Sequence, residues 1–217
     1  MEKIRLDKFI ASQLNISRKD ATFSIKKGIV TVNGNVVRDR SYIFDADIDK
    51  IQYDGQAIVY KKYIYILMNK PSGVVSASND KRQKTVVDLV PENLRRPGIF
   101  PVGRLDKDTT GLLILTDDGD FIYKVTHPKH EINKTYTVTL VGIGTEEDIE
   151  KLRAGVIIDE NYLTKPAKVR IMKIDQEKKI SRVEITIHEG KNRQVRKMCE
   201  AIGKKVIALH RAKIGNL

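Results

Sequence analysis

The sequence predicts an α+β protein built in two parts. Three observations carry this: a helix–helix–hairpin order through Val37, mixed strands and helices without internal repeat after it, and basic charge gathered toward the end of the chain. With 217 residues, 41% of them hydrophobic, the chain can bury a substantial core and is not of disordered composition. Its longest apolar runs, Ile64 to Met68 and Gly111 to Leu115, are too short to cross a bilayer. Met1 to Ser12 carries no signal-peptide pattern of basic start plus apolar core, and the single cysteine, Cys199, permits no internal disulfide; both fit a cytoplasmic protein. The formal net charge is +12, and from Lys168 to Leu217 there are 14 Lys or Arg against 5 Asp or Glu. Such a surplus gains affinity for polyanions by releasing their counterions, so a phosphate-rich partner is expected.

Leu6, Phe9, Ile10 and Leu14 recur at helical spacing, and Asn15 and Ser17 interrupt the run, which predicts a short amphipathic helix ending there. A second helix follows. Ser17 can cap its first amides, Asp20 stands three residues on as in a capping box, and Gly28 suits its C-terminal stop. Arg18, Lys19, Thr22 and Lys26 share a face too polar for core. In "IVTVNGNVV" two β-rich runs flank Asn33-Gly34, the dipeptide that accepts the positive backbone torsions of a tight hairpin turn.

This order and its text, "IRLDKFIASQLNISRKDATFSIKKGIVTVNGNVV" over Ile4 to Val37, resemble the small RNA-binding module first known from ribosomal protein S-four, also called the α-L motif. The resemblance implies that basic side chains on the second helix and its flanks, Arg5, Arg18, Lys19, Lys26 and Lys27, hold RNA, with the acidic segment from Asp45 to Asp49 facing away. The stretch from Tyr53 to Lys62 joins the two parts without a Gly/Ser- or Pro-rich linker. A boundary near Val59 is expected, giving a first domain of residues 1–59 and a second of 60–217.

The second part opens on the apolar strand "YIYILMN", turned by Lys70-Pro71-Ser72-Gly73. Gly111 to Thr116 reads as a buried strand, and "DDGD" as a turn into a helix capped near Asp120. Asp106, between Arg104 and Lys107, is a carboxylate set just before a strongly apolar run. Together with Asp108, Asp117, Asp118 and Asp120 it misses the calcium-loop spacing, and His127, His130, His188 and His210 form no local ligand motif, so no metal is expected. In "NKTYTVTL" the alternation puts Tyr136, Val138 and Leu140 on one face and Thr135, Thr137 and Thr139 on the other. In "ISRVEITIHEGKNRQVRKMCEAIG" a strand runs into a helix with Val195, Met198, Cys199 and Ile202 facing inward. Arg196 borders that buried face, while Arg193 and Lys197 lie farther toward solvent.

Five stretches, "NKPSGVVS", "GRLDKDTTGLLILTDDGDF", "KTYTVTL", "TKPAKV" and "EGKNRQVRKMCEAIGKKVIALHRAKIG", resemble the bacterial ribosomal pseudouridine synthases of the small-subunit synthase A type, over nearly the whole chain. The resemblance implies a catalytic domain with a largely antiparallel mixed sheet and flanking helices, and isomerisation of uridine to pseudouridine in ribosomal RNA without a cofactor. Asp106 is then the nucleophile that attacks a flipped-out uridine, at the base or at the ribose anomeric carbon. Tyr136 stacks on the uracil and assists proton removal at carbon five. Arg196 is the guanidinium that keeps Asp106 ionised against desolvation. Lys70, Arg104, Arg193 and Lys197 add RNA contacts, Arg104 either by helping to extrude the base or by holding phosphate. The text "NRQVRKM" looks more like large-subunit members of the group, so both ribosomal RNAs stay open as substrates.

Two other classes compete. A non-catalytic RNA-binding factor accounts for the charge and the first module, but it does not require Asp106, Tyr136 and Arg196 in three separate motifs. A metal-dependent nuclease would need paired carboxylates. The expected partner is ribosomal RNA, naked or in a partly assembled subunit, and the expected state is a monomer without membrane association.

Overall fold

A computed structural model describes residues 2–217; Met1, where the expected first domain begins, lies outside the described residues. The chain divides into two compact units. The first runs to Ile64 and also takes in Val90–Ile99, which differs from a single cut after residue 59. Within this unit the Arg96 guanidinium donates to the Lys61 carbonyl at 2.9 Å, and Arg95 Nε to the Val90 carbonyl at 2.8 Å.

The first unit comprises β1 (Lys3–Arg5), α1 (Leu6–Leu14), α2 (Arg18–Lys27), β2 (Val30–Val32), β3 (Asn35–Val36), β4 (Ile43–Asp45), β5 (Ile51–Tyr53) and β6 (Gln56–Ala57). α1 stops where Asn15 turns left-handed, at φ 53°. Asn tolerates that conformation because its short polar side chain can bond locally. α2 starts as its sequence predicts: Ser17 Oγ accepts from the Asp20 amide at 3.1 Å and donates to the Asp20 carboxylate at 2.6 Å, and Gly28, at φ 80°, ends the helix. Asn33 and Gly34 both have positive φ, 51° and 82°, and join β2 to β3. One antiparallel sheet runs β3-β2-β5-β6, and β1 pairs with β4. The core gathers Leu6, Phe9, Ile10, Ile25, Val30 and Phe44, with Phe9 edge-on to Phe44.

The second unit, Tyr65–Leu89 with Phe100–Leu217, holds β7 (Tyr65–Lys70), β8 (Phe100–Pro101), β9 (Thr110–Thr116), α3 (Gly119–Thr126), β10 (Lys134–Val141), α4 (Glu146–Ala154), β11 (Ile157–Ile158), β12 (Tyr162–Leu163), β13 (Lys168–Asp175), β14 (Ile180–Ile187), α5 (Gln194–Ala201) and β15 (Val206–Ile214). Its sheet runs β13-β14-β10-β15-β9-β7, with β8 added on β9. Every pairing is antiparallel except β15 with β9, which meet in parallel over two residue pairs. Tyr136, Val138 and Leu140 on β10 are buried together with Val195, Met198 and Cys199 of α5, as the two periodicities require. α3 begins earlier than its sequence suggests. Asp118, not Asp120, is the cap, accepting from the Phe121 amide at 3.0 Å and from the Tyr65 hydroxyl at 2.6 Å.

Candidate active site

Asp106 stands on the loop between β8 and β9, and buried donors tie that loop down. Just ahead of it, Ser76 Oγ donates to the Leu105 carbonyl at 2.8 Å and accepts from the Leu105 amide at 3.0 Å. Just behind it, the Lys70 ammonium reaches the carbonyls of Asp106, Lys107 and Thr109 at 3.1, 3.1 and 2.9 Å, and that of Pro71 at 3.0 Å. Lys70 is 0% exposed. It therefore cannot bring its ammonium to a phosphate, and its expected RNA contact is corrected to the holding of this loop. Burial draws its pKa down, opposed by the charges of Asp108 and Asp106.

Arg196 is buried on α5 and faces the same loop. Its short contact is with Asp108, at 2.9 Å from Nη2 to Oδ2, whereas its Nε lies 3.8 Å from Asp106 Oδ2. The first is a close ion pair and the second a longer one. Asp106 keeps 28% of its side chain exposed, so its carboxylate is reachable while its backbone is fixed. Tyr136 is 8% exposed, and Leu105, Tyr136 and the inner face of α5 belong to one core cluster. Cys199, behind Arg196, is no competing nucleophile: burial pushes its thiol up to about 12.

A fourth group stands here that the motifs did not single out. Arg211 on β15 is the cross-strand neighbour of Tyr136, and a bulge between Lys213 and Arg211 shifts the register beside the phenol. β15 comes so close to β9 at this point that a Cβ on Gly111, at φ 106°, would lie 2.3 Å from the Arg211 carbonyl oxygen. Among the described residues of the second unit, the buried side-chain polar atoms without a hydrogen-bond partner are Thr109 Oγ1, Arg196 Nε and Arg211 Nη2. All three belong to the elements that carry the site, and orphaned polar atoms of this kind call for a functional explanation.

Residues 64–201 match the family model described as RNA pseudouridylate synthase, and residues 4–47 match the S4 domain. The chain belongs to the RNA pseudouridylate synthase family. The synthase is 44% identical to the ribosomal large subunit pseudouridine synthase B of Bacillus subtilis, over 95% of this chain and 84% of that one. It is 38% identical to the ribosomal small subunit pseudouridine synthase A of Escherichia coli, over 99% and 90%. A crystal structure of a pseudouridylate synthase aligns with a TM-score of 0.65 at 36% identity, covering 99% of this chain and 90% of that one. The α+β architecture expected from the sequence is the one observed.

In the S4 unit of this synthase, Arg5 and Arg18 converge on the buried Asp7 carboxylate at 3.0 and 2.9 Å, and with Lys19, Thr22 and Arg40 they line one cavity of about 510 Å³. Burial pushes the Asp7 carboxyl up, but hydrogen bonds and charge from Arg18 and Arg5 bring it below the ordinary value. Lys26 is exposed, and the Lys27 ammonium lies 4.5 Å above the Phe23 ring. In the second unit Arg104 and Arg193 are exposed, while the Lys197 ammonium pairs with Asp159 at 2.5 Å.

Sequence reasoning missed Asp7, Asp108 and Arg211. For Arg211 a signal existed: strict alternation along β15 places it on the same face as buried Leu209.

Proposed function

We propose that this synthase isomerises uridine to pseudouridine in ribosomal RNA, with Asp106 as the nucleophile on a flipped-out nucleoside. The observation that carries this reading is a reachable carboxylate on a clamped backbone, beside a buried guanidinium whose Nε has no hydrogen-bond partner. The reaction breaks the N1–C1′ bond, forms a C5–C1′ bond, and exchanges a proton lost at C5 for one gained at N1. Atoms and electrons balance within the nucleoside, so no redox partner or energy source enters. A carboxylate serves because it is nucleophilic when ionised and can leave again. Arg196, held by Asp108, keeps positive charge beside it. Tyr136 offers its ring to the uracil and its hydroxyl to proton removal at C5.

Asp7 holds Arg5 and Arg18 toward one cavity, which supports phosphate binding by the S4 unit, with Lys19, Lys26 and Lys27 on the same polar helix. Among the described residues no helix is long and apolar enough to cross a membrane. We take the working form to be a cytoplasmic monomer.

The test is made on both ribosomal RNAs, because identities of 44% and 38% to a large- and a small-subunit enzyme are too close to choose between them. RNA from cells lacking the gene, incubated with the wild-type chain, gains a pseudouridine detectable by carbodiimide mapping. Asp106→Asn, which keeps shape but loses charge, gains none while binding the RNA as before. Undiminished turnover in that variant refutes the nucleophile assignment.

A further inference from the structure

The reading above leaves Arg211 unused, yet its setting is costly for a guanidinium. It is 2% exposed. Its Nε donates to the Leu112 carbonyl at 2.8 Å, its Nη2 is buried without a partner, and Arg211 stands directly across the strand pair from Tyr136. Arg196, also buried, has Asp108 and Asp106 beside it; Arg211 forms no carboxylate ion pair among the described residues. A charge that does act on it is another cation, half-buried Lys134, whose Nζ donates to the Ile132 carbonyl at 3.0 Å. A cation removed from water without an anion is strongly disfavoured, and apolar side chains of similar volume often stabilise such positions. Packing alone therefore gives no reason for arginine here.

We propose that Arg211 is a positioning residue for the isomerisation, acting through the Tyr136 hydroxyl. A guanidinium has donors and no acceptor, so any bond that the free Nη2 makes to the phenol must use an oxygen lone pair. The phenol proton is thereby turned away from Arg211 and left free for the substrate. The same cation balances negative charge that gathers on the phenol oxygen as its proton is shared. The bulge beside Tyr136 and the glycine at position 111 bring the β15 backbone to the place this requires. The proposal rests on Tyr136 acting at the uracil.

The experiment uses the full chain and ribosomal RNA from cells lacking the gene. Arg211→Met is expected to keep or raise Tm and to leave RNA affinity unchanged, while single-turnover pseudouridine formation falls about tenfold or more. In protein labelled with ¹³C at tyrosine Cζ, the Tyr136 resonance, assigned by its loss in Tyr136→Phe, moves in Arg211→Met. Arg211→Lys, which keeps a cation and a donor, recovers part of the rate. An unchanged rate or an unmoved resonance in Arg211→Met overturns the proposal. So does a variant that unfolds or loses RNA affinity, since Arg211 is then structural. If the wild-type chain forms no pseudouridine in either RNA, the functional reading itself fails, an outcome distinct from an active wild type with an indifferent Arg211.

Discussion

Two charged side chains in the interior of this protein, Asp7 and Lys70, are kept there by matched partners, each in a different way. Lys70 shares its three protons among four carbonyls, three of them on the loop that carries Asp106. Nothing local announced this, because a lysine before Pro-Ser-Gly reads as an exposed turn residue, and only the chain's return at residues 106–109 encloses it. Asp7 is instead paired with two half-exposed arginines. Its folded-state pKa lies below the ordinary value of 3.8. Its contribution to stability is therefore complete above that value and is lost as pH falls through the lower folded-state value. Asp7→Asn should lower the protection of the α1 and α2 amides in native-state hydrogen exchange by about 1–3 kcal/mol at pH 7, discounted toward the lower end for the exposed arginines. The deficit should shrink as the acidity passes below 3.8. A deficit that persists unchanged at low pH would mean that the ion pairs are not its source. By contrast Asp106, Tyr136 and Arg196 were legible as motif text, whereas the preference of Arg196 for Asp108 needed coordinates.

At the scale of elements, the close parallel contact of β9 with β15 holds the site together, and Gly111 permits it. A methyl group there would meet the Arg211 carbonyl at 2.3 Å and the Arg211 amide nitrogen at 2.6 Å, at a φ of 106° that other residues rarely adopt. Gly111→Ala should therefore cost at least about 2 kcal/mol and, by moving β15, slow pseudouridine formation more than it weakens RNA binding. A Tm within a degree or two of wild type would show that the strands separate freely. The parallel pairing was not legible. It joins residues about a hundred positions apart, and a short apolar run carries no mark of its neighbour's direction. Local elements were legible: the caps of α2 at Ser17 and Gly28, the Asn33-Gly34 turn and the inward face of α5 all follow from bonds or periodicities within a few residues. The start of α3 was displaced because consecutive aspartates offer rival caps, and Asp118 wins by also accepting the Tyr65 hydroxyl.

For the whole molecule, the open question about a net charge of +12 is whether it acts as a diffuse field or through placed contacts. Affinity for RNA falls with salt in proportion to the phosphates neutralised, so the two cases differ in measurable slope. Lys19, Lys26 and Lys27 lie on α2, and Lys19 lines the cavity shared by Arg5 and Arg18. Lys173, Lys178 and Lys179 are equally exposed on β13 and the turn that follows it in the second unit. Changing either trio to glutamine removes the same charge. If α2 grips phosphates, neutralising the first trio makes the slope of log affinity against log salt shallower by about 2, while neutralising the second changes it by well under 1. Sparing Arg5 and Arg18 keeps Asp7 paired, so a loss of affinity cannot be blamed on a buried unpaired carboxylate. Equal slopes for the two trios would mean that the charge acts as a field and that the S4 unit has no privileged phosphate contacts. A shallower slope for the first trio, with the single-turnover rate unchanged at saturating RNA, would separate gripping from chemistry and assign them to different units of the chain.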